Sequence, residues 1–269
     1  MPGYRGRVST STDTETRVDP AWYSWEGAHG GHVAALALTT ARDRFAGGAH
    51  PVRTLTTHYL APVDGSPLHF SGTAPATPGQ RTATCVFTGH QNGVPVLLGS
   101  ALFGARRQGV RHDAYPAPRV PGPGDSPLLR LPADLSPFSQ QLEIRPATAD
   151  RPLAGGERAE LTAWIRFLDG RPLDPAAVVT LTDALPPALY AVWDTPRPVP
   201  TAELTVHLTD ALDEGAPDGW ALVRIRTEHA GGGWAVDDSA VWAADGRLLA
   251  LGRQSRVVRP QPAAGTVNS

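Results

Sequence analysis

Few side chains in this sequence have a type and spacing that indicate chemistry by themselves. His29 and His32 have the HxxH spacing of some metal sites, but neither an acidic nor a cysteine partner accompanies them, so we expect no metal. Cys85 lies in an alternating apolar segment, which favours a core position over a nucleophilic role. His58 and His207 recur in the two halves of the chain, which favours a structural role.

Common catalytic and nucleotide-binding motifs are absent from the sequence. No GxSxG elbow occurs, which argues against a serine hydrolase of the α/β-hydrolase type. GxGxxG, GxxxxGKS and GxxxxGKT do not occur either, so no nucleotide cofactor is expected.

The composition is that of an ordinary globular protein. The chain has 269 residues, 41% hydrophobic and 19% charged, with a formal net charge of -2 that does not favour nucleic-acid binding. A single cysteine allows no intrachain disulfide and indicates a reducing compartment. The polar N-terminus lacks the apolar region of a signal peptide, and no run of about 18 apolar residues indicates a membrane span. We therefore predict a cytoplasmic protein with no membrane partner.

A Pro-rich tract divides the chain into two domains. Because proline removes a backbone donor and fixes φ, residues 111–153 are expected to form an extended connection. It joins a predicted N-terminal domain over 20–110 to a C-terminal domain over 154–260. Residues 1–19 and 261–269 are expected to be disordered tails.

Each half predicts one helix followed by several antiparallel strands, which is an α+β pattern. The helices are predicted near residues 32–45, after Gly30-Gly31, and 174–191, with Pro186-Pro187 bending or ending the second. Asn92-Gly93 and Asp245-Gly246 are hairpin signals. Strands are predicted at 52–60, 68–72, 81–87, 94–103, 202–209, 220–227, 239–244 and 248–258.

The two halves also share residues at a fixed spacing. The segment Leu55-Thr56-Thr57-His58 matches Leu204-Thr205-Val206-His207 at an offset of 149 (207 minus 58). Gly93 matches Gly246 at an offset of 153 (246 minus 93). A period of this length indicates a duplicated domain.

These elements resemble the acyl-CoA thioesterase II family, whose members are double-hotdog proteins: two fused domains, each a central helix wrapped by an antiparallel sheet. The similarity covers about residues 21–258 and rests on the order and spacing of short elements, none of them specific by itself. In the first half they lie at 30–35, 50–51, 57–63, 91–93 and 101–103. In the second half they lie at 164–167, 182–184, 200–201, 245–248 and 253–254.

The resemblance implies hydrolysis of an acyl-CoA or acyl-carrier thioester, in fatty acid metabolism. Asp183, Thr201 and Gln254 match the family's catalytic Asp, Thr and Gln, and the resemblance also implies substrate contacts for Gly30 and Gly31. Taken singly, the first three residues have ordinary interpretations, as a helix cap, a strand-opening threonine and an exposed strand residue.

The repeat predicts that only one half holds this polar set. At offset 149, Asp183 corresponds to Ala34 and Thr201 to Val52. At offset 153, Gln254 corresponds to Ala101. The first-half counterparts are all apolar, so we predict one polar site per chain.

The chemistry expected of this set is attack of water on a thioester carbonyl. Asp183 would act as general base, with its pKa raised by burial beside the acyl chain. Thr201 and Gln254 would orient the water, and a backbone N–H near a helix N-terminus would bind the oxyanion. Direct attack by Asp183, forming an anhydride, stays an alternative. Strict alternation turns Thr201 away from the helix, so the prediction requires a kink or bulge after Pro200.

The leaving group would be CoA or a carrier-bound phosphopantetheine, and the guanidinium fork of arginine suits its phosphates. Arg81 and Arg253 are predicted to bind substrate in this way. The other candidate phosphate contacts are Arg106, Arg107 and Arg256. Each of these arginines also fits an ordinary surface position.

Two other functions stay open at this point. A hotdog hydratase or dehydratase would use an Asp–His pair, which the sequence does not reveal, although His207 lies six residues from Thr201. A non-catalytic acyl-binding or biosynthetic accessory protein would keep only the fold. Pairing of chains into a homo-oligomer is a further expectation.

Overall fold

The computed structural model describes residues 7–10, 14–45, 50–76, 81–215, 217 and 219–260. The predicted tail at 261–269, together with residues 1–6 and 11–13, lies outside the described residues. Among the described residues, no helix is long and apolar enough to cross a membrane.

Twelve strands of the described chain form one antiparallel sheet, in the spatial order β1-β6-β7-β8-β5-β11-β14-β13-β12-β10-β9, with β2 also paired to β6. In chain order they are β1 (Arg7–Thr10), β2 (Thr14–Thr16), β5 (Val52–Tyr59), β6 (Leu68–Ala76), β7 (Thr82–Gln91), β8 (Val94–Gly104), β9 (Leu142–Pro146), β10 (Glu160–Phe167), β11 (Thr201–Leu208), β12 (Ala221–Gly231), β13 (Trp234–Ala243) and β14 (Leu248–Val257). A separate ribbon consists of β3 (Tyr23–Ser24) and β4 (Gly27–Ala28).

Each half contributes one α-helix. Helix α1 (Gly30–Thr40) begins after His29, whose ring accepts the N–H of His32, and a wider turn over Ala41–Phe45 follows it. Helix α2 (Pro175–Leu181) begins after Asp174, whose carboxylate accepts the N–H of Ala177. The helix predicted over 174–191 is therefore too long. Between Leu181 and the end of that range, only a 3₁₀ turn at Ala188–Ala191 is helical, because Pro186 and Pro187 cannot continue the helix.

The sheet is continuous because β5 and β11, the corresponding strands of the two halves, pair at its centre. In this pairing Thr56 faces Thr205, which is 149 positions further along the chain, and their hydroxyl oxygens lie 3.0 Å apart. A residue that faces its own counterpart marks the axis of the internal symmetry. The offset of 149 predicted from the sequence is therefore confirmed on these strands.

The neighbouring strands β8 and β14 follow the second predicted offset. Val52 faces Phe103 on β8, and its counterpart Thr201 faces Arg256 on β14, which is 153 positions beyond Phe103 (256 minus 103). The helices deviate from offset 149, because α1 begins at Gly30 and α2 at Pro175, 145 positions apart (175 minus 30). The helices therefore do not support Ala34 as the counterpart of Asp183.

Two segments that we expected to lie outside the domains contain strands. In the predicted disordered tail, β1 and β2 pair with β6, just as β10 pairs with β12 in the second half. In the predicted connection, β9 pairs with β10. Both expectations are wrong at these residues, because short stretches that contain Val, Thr or Ile pair with a neighbouring strand although the surrounding segment is polar or Pro-rich.

The remainder of the connection is tied to the outer face of the second-half sheet by two indole groups. Trp164 Nε1 donates to the carbonyl of Pro121 at 2.7 Å, and Trp242 Nε1 donates to the carbonyl of Tyr115 at 2.9 Å. From 105 to 122 the connection has neither helix nor strand, as the prolines predict.

Candidate active site

The carboxylate of Asp183 lies where elements of both halves meet. Asp183 follows α2 by two residues and is only 8% exposed. Its Oδ2 accepts the backbone N–H of Gly31, in the first turn of α1, at 2.9 Å. Its Oδ1 accepts Gln254 Nε2 and Arg256 Nη2, both on β14, at 3.0 Å each. The first half thus supplies a helix N-terminus to the carboxylate of the second half, and the helix dipole favours the negative charge there.

A β-bulge brings Thr201 to the same side of the sheet. The register with β14 shifts between Thr201 and Glu203, so Thr201 faces Arg256 while Leu204 faces Gln254. Residues that face each other in an antiparallel pair lie on one face, so both Thr201 and Leu204 point inward although they are three positions apart. The predicted kink or bulge after Pro200 is confirmed as a bulge.

The structure therefore brings Asp183, Thr201 and Gln254 together, with Arg256 between them. Asp183 contacts Gln254 directly, and Arg256 Nη1 donates to Thr201 Oγ1 at 2.9 Å. The guanidinium is 4% exposed, and its Nε lies 2.9 Å from Oδ2 of the buried Asp237. The sequence offered Arg256 either as a phosphate contact or as an ordinary surface arginine. The surface position is wrong, because the side chain points inward and pairs with Asp183 and Asp237. Contact of Arg256 with a bound phosphate stays a prediction.

The pKa of Asp183 is lower than the sequence led us to expect. Burial raises this pKa, but the attraction to His29 when that ring is protonated, the charge of Arg256 and the hydrogen bonds from Gly31 and Gln254 together outweigh burial and lower the pKa below its ordinary value. The predicted rise toward neutral pH is therefore wrong. Asp183 is ionised at neutral pH.

His29 forms the Asp–His pair that the sequence did not reveal. Its Nε2 lies 3.5 Å from Asp183 Oδ2 and 2.8 Å from the backbone carbonyl of Asp183. Because Nδ1 accepts the N–H of His32, Nδ1 carries no proton, and Nε2–H donates to the carbonyl. Burial is the main cause that lowers the pKa of His29, so the ring is neutral. Both ring nitrogens are thus engaged. His29 anchors the backbone at Asp183 and has no unengaged nitrogen that could accept a proton.

Gly30 and Gly31 allow this close approach of the two halves. A Cβ at position 31 would lie 2.8 Å from Cβ of Asp183 and 2.9 Å from the carbonyl oxygen of Thr180. A Cβ at position 30 would lie 3.1 Å from Asp183 Oδ2. Both glycines were predicted to contact substrate. Gly30 lines the cavity described next, whereas the N–H of Gly31 is used by Asp183.

A cavity of about 410 Å³ opens beside this cluster. Asp183, Thr201 and Arg256 line it, together with apolar residues that include Val33, Phe138 and Leu185. Apolar walls with a few convergent polar groups are typical of a small-molecule site.

Tyr59 and Gln254 hold in place groups that line the cavity. Tyr59 donates its hydroxyl to the carbonyl of Gly30 at 2.7 Å, and burial raises the pKa of Tyr59 so that the phenol stays protonated. Gln254 is not among the described residues that line the cavity, and its amide faces Asp183. The expectation that Gln254 orients a water directly therefore conflicts with its position behind the carboxylate.

The other predicted phosphate contacts lie away from this cluster. Arg253 points to the outer face of β14 and pairs with Asp238 at 2.6 Å. Arg81 is exposed immediately before β7, Arg107 is exposed, and Arg106 pairs with Glu214 at 3.0 Å. None of these four is among the described residues that line the cavity. Their contact with a bound phosphate stays a prediction.

Family models for the two domains of acyl-CoA thioesterases match both halves of the chain. The model of the N-terminal domain matches residues 18–104, and that of the C-terminal domain matches residues 113–258. The chain belongs to the acyl-CoA thioesterase family. Membership in this family supports thioester hydrolysis as the general chemistry of the chain.

Solved structures confirm the α+β double-hotdog fold. A conserved protein with a hot dog fold from Alicyclobacillus acidocaldarius is 26% identical, with a TM-score of 0.83 over 94% of this chain and 97% of that one. An acyl-CoA thioesterase II from Mycobacterium marinum is 22% identical, with a TM-score of 0.69 over 88% and 90% of the two chains. A tesB protein from Mycobacterium avium subspecies paratuberculosis is 18% identical, with a TM-score of 0.71 over 92% and 93%. No curated protein matches the chain.

Sequence reasoning missed the parts that Arg256, Asp237 and His29 play in this cluster. Alternation along β14 offered a signal for one of them, because Arg256 lies two residues beyond Gln254 and must share its face. Asp237 faces Gln254 across the β13–β14 pair, which becomes apparent only once the register is known. His29 reaches the site through the packing of α1 against α2, for which the sequence holds no local signal.

Proposed function

We propose that this chain hydrolyses acyl-CoA thioesters, with Asp183 as the general base for an attacking water. The observation that carries the proposal is the position of the Asp183 carboxylate. It lines an otherwise largely apolar cavity and is held there by groups from both halves. A carboxylate in this position accepts a proton from water as the water oxygen bonds to the thioester carbon, a contribution typically worth about 10²–10⁴-fold in rate.

Thr201 is proposed to orient that water. Its oxygen accepts a hydrogen bond from Arg256, so its own hydrogen is free to donate to a group in the cavity. Gln254 is proposed to hold the carboxylate rather than the water, since its amide donates to Asp183. Holding base and water in line removes part of the entropic cost of the reaction.

The N-terminus of α1 is proposed to stabilise the oxyanion. Gly30, the first residue of the helix, lines the cavity, and its N–H has no acceptor within the helix. The next N–H groups are used by Asp183 and by the His29 ring. When the tetrahedral intermediate collapses, the C–S bond breaks. The proton held by Asp183 then passes to the thiolate, which gives free acid and CoA thiol.

A thiol-release assay over a panel of acyl-CoAs of different chain length tests this proposal. We expect free thiol from one or more of them and loss of that activity in Asp183→Asn. Hydration of an enoyl-CoA without thiol release would favour a hydratase. Tight binding without any turnover would favour an acyl-binding protein.

The identity of the attacking group is tested by one turnover in oxygen-18 water with enzyme in excess. General base catalysis places the label in the released acid during the first turnover. Direct attack by Asp183, followed by attack of water on the aspartyl carbonyl of the anhydride, instead places the label first in the aspartate carboxylate, where mass spectrometry of the site peptide detects it.

A further inference from the structure

One buried arginine connects the polar groups of the cluster. The guanidinium of Arg256 lies 3.0 Å from Asp183 Oδ1 through Nη2 and 2.9 Å from Thr201 Oγ1 through Nη1. Nη1 also lies 3.5 Å from the carbonyl of Val199, and Nε lies 2.9 Å from Asp237 Oδ2. The planar fork of arginine is the side chain that holds several acceptors in fixed directions at once.

The first half shows that the fold does not need this charge. Phe103 occupies the position of Arg256, since Val52 faces Phe103 as Thr201 faces Arg256. Cys85 occupies the position of Asp237, since Cys85 faces Ala101 as Asp237 faces Gln254. An apolar pair fills the same strand positions there, and a buried ion cluster seldom stabilises a fold more than such a pair does. The charges of the second half therefore require an explanation other than folding.

We infer that Arg256 is a positioning residue of the hydrolytic reaction, which fixes Asp183 and Thr201 relative to each other and is itself fixed by Asp237. The inference rests on the proposed function, because it names the group that keeps the proposed base and the Thr201 hydroxyl in their relative positions. The Thr201 oxygen accepts a hydrogen bond from Arg256, so the hydroxyl hydrogen is left to donate to a group in the cavity. Asp237 is held in turn by Thr227, whose hydroxyl donates to Oδ1 at 2.6 Å.

The charge of Arg256 has a second, measurable consequence for Asp183. The groups that face Asp183 are His29 from α1, Tyr59 from β5, and Gln254 and Arg256 from β14. His29 and Tyr59 are neutral, for the reasons given above, and Gln254 has no charge. Arg256 is the one permanent cation among them, and it favours the ionised carboxylate. Its removal is expected to raise the pKa of Asp183.

The test compares Arg256→Met and Arg256→Lys with wild type, with kcat and KM measured across pH on an acyl-CoA that wild type hydrolyses. For Arg256→Met we expect kcat to fall at least about tenfold. We also expect the acidic limb of the kcat/KM profile to shift to higher pH by about 1 to 3 pH units. Arg256→Lys keeps the charge but not the fork, so the limb returns toward wild type while kcat stays low. Arg226→Met, which removes an exposed arginine paired with Glu228, is the matched control and should change neither quantity.

A folding defect is separated from a positioning defect by a second variant. Arg256→Met leaves Asp237 buried without its cation, whereas Asp237→Asn/Arg256→Met removes both charges. The double variant should have a melting temperature closer to that of wild type than Arg256→Met has. The acidic limb of its kcat/KM profile should still lie at higher pH than in wild type. Wild-type kcat and an unmoved limb in a folded variant would overturn the inference.

Failure of the proposed function gives a different result. If wild type releases thiol from no acyl-CoA, the hydrolase proposal fails by itself. A carbon-13 NMR titration of the Asp183 carboxyl in wild type and the two single variants then decides the role of Arg256 without turnover. A pKa unchanged by Arg256→Met would contradict it.

Discussion

The two halves of this protein share one backbone plan and differ in what lies at four corresponding inward positions. In the second half Thr201, Asp237, Gln254 and Arg256 form a connected polar cluster. In the first half the same positions hold Val52, Cys85, Ala101 and Phe103, all buried in the core. The strand pairing and even the bulge on the strand that carries Thr201 or Val52 are alike. The duplicated scaffold therefore accepts either set of side chains without a change in its strand pairing.

The apolar half is nevertheless part of the site. Its helix α1 provides the Gly31 N–H to Asp183, and His29 at the start of that helix holds the Asp183 backbone. A single hotdog half contains only part of the cluster. The comparison thus teaches that duplication allowed each half to keep a different share of one site.

Asp183→Asn should produce the largest effect, because it removes the carboxylate that we propose as the general base. We expect kcat/KM to fall by about 10²–10⁴-fold. The control is Asp169→Asn, which makes the same chemical change at an exposed ion pair with Arg171 and should retain activity. Equal thiol-release rates for wild type and Asp183→Asn would contradict the proposed role of Asp183 and the contrast drawn between the two halves.

Gly31→Ala tests the contribution of the first half to the site, which depends on close packing of α1 against α2. The new methyl group has no room between Asp183 and the carbonyl of Thr180, so α1 and α2 must separate. We expect a loss of about 1–3 kcal/mol in the free energy of unfolding, together with reduced kcat. Chemical denaturation and steady-state kinetics measure the two effects. Gly124→Ala is the control, since a Cβ there meets nothing within 4 Å. A Gly31→Ala protein as stable and active as the control would contradict the packing described.

Thr201→Val gives the second half the residue type of the first half at one position. We expect kcat to fall about tenfold, the equivalent of one hydrogen bond of about 1.4 kcal/mol, with little change in KM. Thr205→Val removes a hydroxyl from the outer face of the same strand and should leave kcat unchanged. If both variants behave alike, Thr201 has no special part in the reaction.

Val52→Thr makes the reverse exchange and should have the smallest effect. Its hydroxyl enters a buried apolar environment with no cluster to join, so we expect about 1 kcal/mol of destabilisation. Thiol release should stay at the wild-type rate. A gain in stability, measured by urea denaturation, would show that the first half tolerates polar groups better than its packing indicates.

Much of this arrangement was accessible from the sequence because symmetry constrains it. The segments around His58 and His207 fixed an offset that the register of β5 and β11 confirms. The alternation of β11 required a kink or bulge, and the structure has a bulge at Ala202, between Thr201 and Glu203. Patterns of this kind are local, and the sequence records them directly.

The remainder depended on tertiary contacts that no local pattern encodes. The pKa of Asp183 is set by groups from α1 and β14, so an argument from burial alone predicted the wrong direction. Strands β1, β2 and β9 lie in segments whose composition indicates disorder or extended linkers, and they form because a neighbouring strand offers its backbone groups. By residue type Arg256 also fitted an ordinary surface position, whereas its side chain points inward and pairs with Asp183 and Asp237.

The most direct test of the account is the number of acyl-CoA sites in one chain. Isothermal titration calorimetry of wild type with a non-hydrolysable thioether analogue of a turned-over acyl-CoA measures that number. We predict one analogue bound per chain, because the polar side chains Asp183, Thr201 and Arg256 have no counterparts of the same kind in the first half. Two equal sites per chain, or none, would contradict the account.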